Sequence, residues 1–480
     1  LASLAAALSC AAPPQSTAPE PAATPETVVA TSPADSEPPA AETVPAAPLS
    51  ISVTDAVLIS LENNPALAVQ RIAPSITSTF EDDASAVFDP SLSVGVAYDR
   101  ERAVRSAGGP DSLTSGTSVG AALSKTFPSG TDVELEASSG RADSSSGRLA
   151  ASRLGLTVTQ ALLRGLGSEV NLATLRQRRL DTSASEFQLR AFTEAIVAEV
   201  ERRYWDYSLA LREIDIYTES LKIAEQALSE SDERIKIGNL AEIELAAAQA
   251  EVALRREALI NARGNLASAR LRLLQITNPP GPSMWEREVS LTDAPDTTPS
   301  ALDNVADHVA LALAMRPELN EARLAIQSND LEIVKTKNGL LPRMDLFLAL
   351  GKTGYADSFR PSLENIADED TYDMSLGLSL EYVLGNRSAR ARDRRATLTR
   401  TATAEALRNL SNLVELDVRT AFIEVSRAAE QVTATAATLY FQQETVRGET
   451  EKFRVGKSTA FLVAQAQRDL LAGQIAEVRA

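Results

Sequence analysis

The chain has 480 residues, 44% of them apolar but only 4% aromatic, a balance that favours extended helix over compact globules. Its formal net charge of −18 argues against nucleic acid as the main partner, because phosphate binding needs a basic face. No apolar run reaches the roughly 18 residues of a membrane-spanning helix, so any crossing of a membrane must be made by β-strands.

The opening "LASLAAALSCAAPPQS" is a run of small apolar residues ending at Cys10, the single cysteine. Such a run reads as the tail of a secretory signal, here clipped, with no initiator Met or basic leading segment. "ALSC" resembles a bacterial lipobox, which makes Cys10 the expected lipidation site; the alternative is a plain signal peptide with an incidental cysteine. A lone cysteine excludes an intrachain disulfide. Residues 11–48 hold ten of the 23 prolines among Ala, Thr, Ser and Glu, a composition that cannot bury apolar area and predicts an extended tether. The body is expected to start near Leu49.

After a short helical stretch, "NNPALAVQRI" at 63–72, period-two alternation appears. Leu92, Val94, Val96 and Tyr98 form one set, Val119, Ala121 and Leu123 a second, Val133, Leu135 and Ala137 a third, and Leu154, Leu156 and Val158 a fourth. Each reads as a strand with one apolar and one polar face, separated by loops such as "SAGGPDSLTSG" and "GRADSSSGR". A helix follows from about 171 to 237, with Val200, Tyr207, Ile214, Leu221, Leu228 and Ile235 spaced by seven. That spacing marks left-handed coiled-coil packing, and the helix would run on the order of 100 Å, too long for a globular domain. At Gly238 the stripe changes register and continues through Leu245, Val252, Leu259, Leu266 and Leu273. Gly238 is therefore predicted to reverse the chain, since glycine accepts the left-handed backbone that ends a helix.

The same order then returns. Gly456 sits 218 residues after Gly238, and that offset carries the stripe onto Val418, Val425, Val432, Leu439, Val446 and Phe453. "MRPELNEARL" at 315–324 echoes "NNPALAVQRI" at an offset of 252, as Pro342 does Pro90. The first copy thus carries about 34 more residues between the two anchors. Leu346, Leu348 and Leu350, then Leu376, Leu378, Leu380 and Tyr382, supply the second copy's alternation. The expected organisation is a first unit over 49–300 (strands about 90–160, hairpin about 171–277) and a second over 301–480 (strands about 342–384, hairpin about 396–480). The second hairpin is expected to be cut at Ala480. The helices carry only narrow stripes, so the sheet has nothing to pack on but lipid. Four to six strands cannot close a barrel, which needs about eight, and open edges are forbidden in lipid. Several chains must complete it; three would supply twelve or eighteen strands.

Taken together, "SVTDAVLISLENNPALAVQ", "LTVTQALLRG", "RIKIGNLAEIELAAAQAE" with its partner "KFRVGKSTAFLVAQAQRD", and "ALAMRPELNEARLAI" resemble the TolC-like outer-membrane efflux proteins. The resemblance spans about residues 50–480. It implies a mixed α and β fold in which the duplicated helix–strands–long helix–helix unit builds a trimeric outer-membrane β-barrel continuous with a long periplasmic α-helical coiled-coil barrel. It further implies a passive exit duct of a tripartite efflux or type I secretion system, fed by a periplasmic adaptor and an inner-membrane pump of the proton-driven or ABC type. By that resemblance Ile237, Gly238, Asn239 and Leu240, with Val455, Gly456, Lys457 and Ser458, form the helical tips that meet the adaptor. Members of the family narrow the closed pore with acidic residues six and nine positions after the second tip glycine. Leu462 and Gln465 stand at those positions here, so a carboxylate ring is open only to Glu244 of the first copy.

Other chemistry fails its own tests. "GTSVG" at 116–120 fits a nucleophile elbow in letters, but a loop precedes it, a strand follows it, and it lacks a His partner. His308 is the only histidine and cannot make a zinc site without a second His or paired cysteines. No phosphate-binding glycine loop appears, so neither an enzyme nor a cofactor is expected. Two basic runs, "RQRR" at 176–179 and "RSARARDRR" at 387–395, follow the last strand of each unit. There they meet either outer-membrane lipid phosphates or water and acidic neighbours. The competing class is a coiled-coil periplasmic or surface stalk without a pore, which has no use for outward apolar strand faces.

Overall fold

In this computed structural model the described residues are 48–103, 112–144, 147–238, 242–281, 284–296, 302–368 and 370–480. Cys10, residues 11–47 of the tether, Asn239 and Leu240 lie outside them. Leu1–Pro45 and Ala46–Ala480 are separate units, and every described element belongs to the second.

Each half begins with a broken pair of helices. α1 (Val53–Asn63) starts at Ser52, whose hydroxyl accepts the Asp55 N–H while the Asp55 carboxylate accepts the Ser52 N–H, both at 3.0 Å. This reciprocal cap satisfies two donors that a helix start otherwise leaves open. Asn64 ends α1 and caps α2 (Pro65–Ser85), its Oδ1 accepting from the Ala66 and Leu67 N–H groups. The second half repeats the break with α6 (Val305–Met315) and α7 (Pro317–Asn338). Proline at the first helical position costs no hydrogen bond and disfavours helix in the residue before it, and the break sits at the same place in each copy.

Six strands form one antiparallel meander: β2 (Ser91–Ala103), β3 (Ser112–Phe127), β4 (Thr131–Ser144), β5 (Gly147–Ala161), β7 (Arg343–Ala356) and β8 (Asp373–Glu381). The first copy gives four strands and the second two, so the hairpin β3–β4 is the insertion that makes the first copy longer. Among the described residues, the strand number left open by the sequence is six. A short helix, α8 (Phe359–Asp368), lies between β7 and β8, where the sequence reading had only strands and loop. It packs its backbone against Gly354, where a Cβ would stand 2.3 Å from the Ser362 carbonyl oxygen.

Below the sheet, α4 (Ala173–Lys236, after the single turn α3, Ser168–Asn171) and α9 (Arg387–Arg454) are 64 and 68 residues long, close to 100 Å each at 1.5 Å per residue. α9 starts at Arg387 rather than near 396. The arginine run is therefore the helix's first turns, because Asn386 in a left-handed conformation (φ 35°) already turns the chain into it. α5 (Ile243–Thr277) and α10 (Ala460–Arg479) return antiparallel to them. Laterally, α2 packs on α4, α4 on α7, and α7 on α9.

Where α4 and α5 pass the parallel pair β1 (Leu49–Ile51) and β6 (Val289–Leu291), the main core forms from Ile51, Val200, Tyr204, Tyr207, Leu273 and Leu274. The buried tyrosine hydroxyls are not orphaned. Tyr204 donates to the Ile51 carbonyl (3.2 Å) and accepts from the Asp293 N–H (3.2 Å), while Tyr207 donates to the Val289 carbonyl (2.9 Å). Burial raises the Tyr207 pKa further above its ordinary value, so it stays a donor. These bonds clamp both short strands to the midpoint of α4.

Candidate functional site: an apolar sheet face and two helical tips

Register decides what the alternating stretches do together. Val94 pairs with Ala121, Ala121 with Ala137, Ala137 with Leu154; Leu123 pairs with Leu135, Leu135 with Leu156, Leu156 with Leu350, and Leu350 with Met374. Paired residues share a face, so all six apolar sets fall on one side of the sheet. On the edge strand β2, Leu92, Val94, Val96 and Tyr98 are each at least 66% exposed, and Leu376, Leu378 and Leu380 on β8 at least 58%. An exposed apolar surface of this extent marks a contact with lipid or protein. The strands of 13, 16, 14, 15 and 14 residues, with 9 in β8, meet or approach the 9–11 residues that cross a bilayer at a tilt.

The opposite face carries Ser93, Asp99, Ser118, Glu134, Glu136, Thr157 and Ser375. Arg153 holds Asp373 there in a two-armed ion pair, with one arm at 2.6 Å. "GTSVG" lies inside β3 on this sheet and opens no helix. Among the described residues no helix is long and apolar enough to cross a membrane, and no group of three or more His, Cys, Asp or Glu could hold a metal ion. His308 lies exposed on α6, 6.4 Å from the ring of Phe422.

At the far end from the sheet, both long helices stop at a glycine in the left-handed region, Gly238 at φ 77° and Gly456 at φ 72°. At the second tip the Gly456 N–H donates to the Phe453 carbonyl and the Lys457 N–H to the Lys452 carbonyl. This pair of bonds satisfies the last open carbonyls and needs a left-handed residue at the glycine. Thr459 then caps α10, accepting from the Leu462 N–H at 3.3 Å. The Ser458 hydroxyl donates to Glu449 (2.7 Å), and Lys452 lies 2.6 Å from the same carboxylate. Lys452, then Ser458, holds the Glu449 pKa below its ordinary value. Ile237 and Val455, one on each tip, are exposed.

The pore residues expected from the sequence separate. Glu244 is half-buried in a crevice between the two hairpins, among Arg234, Glu251, Phe453 and Arg468. Leu462 and Gln465 lie exposed on α10. Sequence reasoning missed Glu251, whose side chain is only 13% exposed and bridges Arg255 of its own helix (2.5 Å) to Arg468 of the other hairpin (3.5 Å). The i, i+4 spacing of Glu251 and Arg255 was visible; the third member comes from another repeat.

The family model described as outer membrane efflux protein matches residues 132–279 and 309–480, one segment in each repeat. The chain belongs to that family. Among solved structures it resembles the outer-membrane channel OprN (TM-score 0.67, 18% identity, 89% of this chain and 86% of that one). It also resembles VceC from Vibrio cholerae (0.64, 14%, 89% and 92%) and CmeC from Campylobacter jejuni (0.62, 14%, 89% and 82%). No curated protein matches the sequence. Outer membrane efflux proteins are channels that reach from the outer membrane into the periplasm, which decides for the duct over the poreless stalk.

Proposed function

We propose that three copies of this outer membrane efflux protein close into the exit duct of a tripartite efflux or secretion assembly. The observation that carries the reading is the sheet: six strands with an apolar face turned outward and two unpaired edges, β2 and β8. Six strands are too few to seal a pore, and lipid tolerates no open edge. β8 runs antiparallel to β2, so the last strand of one copy can pair with the first of the next. Three copies, the number the TolC-like pattern implies, give eighteen strands. The polar face then lines the bore and the apolar face meets outer-membrane lipid.

The tips Ile237, Gly238, Asn239, Leu240, Val455, Gly456, Lys457 and Ser458 are the docking points for a periplasmic adaptor, with exposed Ile237 and Val455 as apolar anchors. An inner-membrane pump, proton-driven or of the ABC type, supplies the energy; the duct itself is passive. Leu462 and Gln465 narrow the bore, and Glu244 acts only when the hairpins separate enough to release it. Cys10 carries the lipid anchor.

The test is the detergent-purified mature chain: light scattering should give the mass of a trimer, and reconstitution into planar bilayers should give discrete conductance steps. A water-soluble monomer without conductance overturns the reading. Mass spectrometry of the mature N-terminus settles the anchor, since an unmodified Cys10 thiol removes it.

A further inference from the structure

The charges on the sheet separate by face. Paired residues share a face, so the apolar side can be followed past its leucines to the end of the sheet away from the long helices. There Arg100 pairs with Ser115, Ser115 with Asp143 and Asp143 with Arg148, while Tyr98 pairs with Thr117, Thr117 with Arg141 and Arg141 with Ala150. Lys352, opposite Leu154, lies on the same side. Among the described strand residues, this end of the apolar side thus carries the cations Arg100, Arg102, Arg141, Arg148 and Lys352 against the single acid Asp143. The opposite side reverses the balance, with Asp99, Glu101, Glu136 and Asp373 against Arg153. Tyr98, 66% exposed, stands on the border between the leucines and the cations, where membrane strands place their aromatic residues.

The helix α8 is laid on this same side. Gly354 pairs with Ser152 and Ser152 with Ser139, one step beyond Lys352 and Leu154. The Ser362 hydroxyl bonds that of Ser152 (2.7 Å), and Ser152 that of Ser139 (2.6 Å). The Asn365 amide donates to the Tyr355 carbonyl (2.7 Å), and the Lys352 ammonium to the Ala367 carbonyl (3.2 Å). Small residues make the close approach possible, since Ala150 and Ser152 of β5 and Gly354 of β7 are all buried on the packed side. The helix does not hide its own apolar flank, for Leu363 is 54% exposed. The Arg360 side chain, 3.1 Å from Glu364, is 90% exposed. A helix with one apolar and one charged flank, fastened at the border of an apolar and a cationic band, has the form of an interfacial helix.

We infer that this rim binds the phosphate groups of outer-leaflet lipids, with Arg100, Arg141, Arg148, Lys352 and Arg360 facing the headgroups and α8 lying in the interface. A guanidinium meets phosphate oxygens two at a time through charge-assisted bonds. Lipid is the source, rather than free phosphate, because the cations stand directly beyond Leu154 and Leu350 and beside exposed Leu363, so acyl chains and phosphate are met together. The chemistry fits a phosphorylated acyl glycolipid. The acids of the opposite side repel the same headgroups, which sets the sign of the preference. The inference rests on the duct reading above, which turns the apolar side toward lipid.

The full chain, purified in detergent, tests it with lipid A as the probe, its retention counted by native mass spectrometry. Wild type should retain bisphosphorylated lipid A and should bind its dephosphorylated form roughly tenfold or more weakly. R100Q/R148Q/R360Q should lose the same factor toward lipid A, and D99N/E101Q, on the opposite side, should lose none. Circular dichroism and the heat-induced gel shift check that each variant keeps its folded barrel. Equal retention of the two lipids, or a triple variant that binds like wild type, overturns the inference. Displacement of lipid A by inorganic phosphate at millimolar concentration also overturns it, since the cations would then serve a free anion. A chain that conducts in phosphatidylcholine bilayers yet ignores lipid phosphates leaves the duct intact and removes only the rim. A chain that neither inserts nor conducts overturns the duct reading itself.

Discussion

Leu376 stands in the middle of β8, opposite Leu348 of β7, with 64% of its surface exposed; its neighbour Ser375 is equally free but points to the other face. Arginine at these two positions separates the membrane reading from any water-soluble one. On a solvated sheet both changes are surface substitutions, each within about 0.5 kcal/mol of neutral. In a bilayer, Leu376→Arg puts a cation among acyl chains near the midplane, at a cost of about 2–4 kcal/mol per copy. Ser375→Arg meets an aqueous bore and costs close to nothing. The difference corresponds to roughly a 30- to 1,000-fold change in the folding equilibrium. Reversible urea unfolding in liposomes, followed by tryptophan fluorescence and by the heat-induced gel shift of a folded barrel, measures it. Equal effects for the two variants, or a harmless Leu376→Arg, would refute the assignment of faces.

Three smaller predictions address the helical half. Gly456→Ala leaves space for the methyl group, since nothing lies within 4 Å of its Cβ position; the left-handed φ of 72° alone should cost about 1–2 kcal/mol, seen as faster amide exchange in residues 452–460. Tyr204→Phe strips the donor from the Ile51 carbonyl and the acceptor from the Asp293 N–H in a fully buried site. It should lose about 1–3 kcal/mol in thermal unfolding, and an unchanged midpoint would contradict the clamp. Glu449 has a pKa held below its ordinary 4.5 by Lys452 and Ser458. Its contribution is therefore complete above that ordinary value and is lost as pH falls through the lowered one. With the intrinsic pH dependence of amide exchange divided out, the protection of the second tip should be constant between pH 7 and 5 and decline as pH falls below 4.5, a dependence that Glu449→Gln removes.

Local chemistry made the linear elements readable. Heptad spacing from Val200 to Ile235, period-two spacing in the strands, proline at the start of α2 and α7, and glycine at each tip all act over a few residues. They announce helix, strand, break and reversal without help from the rest of the chain. The duplication was legible for the same reason, because each copy must solve the same local problems. Long-range partners were not. Nothing near Ser152 in sequence says that its hydroxyl meets Ser362 (2.7 Å) under α8, or that Glu251 would find Arg468 of the other repeat.

By itself, then, the sequence determined which residues alternate, where helices turn, and that one chain repeats a unit. Only the tertiary structure decided that all six alternating sets share one face and that two edges stay open, because face and edge depend on strand pairing across separations of up to some 200 residues. It likewise decided that the five arginines between 387 and 395 belong to α9 and, among the described residues, form no ion pair. Charge on a helix end costs or gains energy according to what is placed beside it, and that neighbour is fixed by packing.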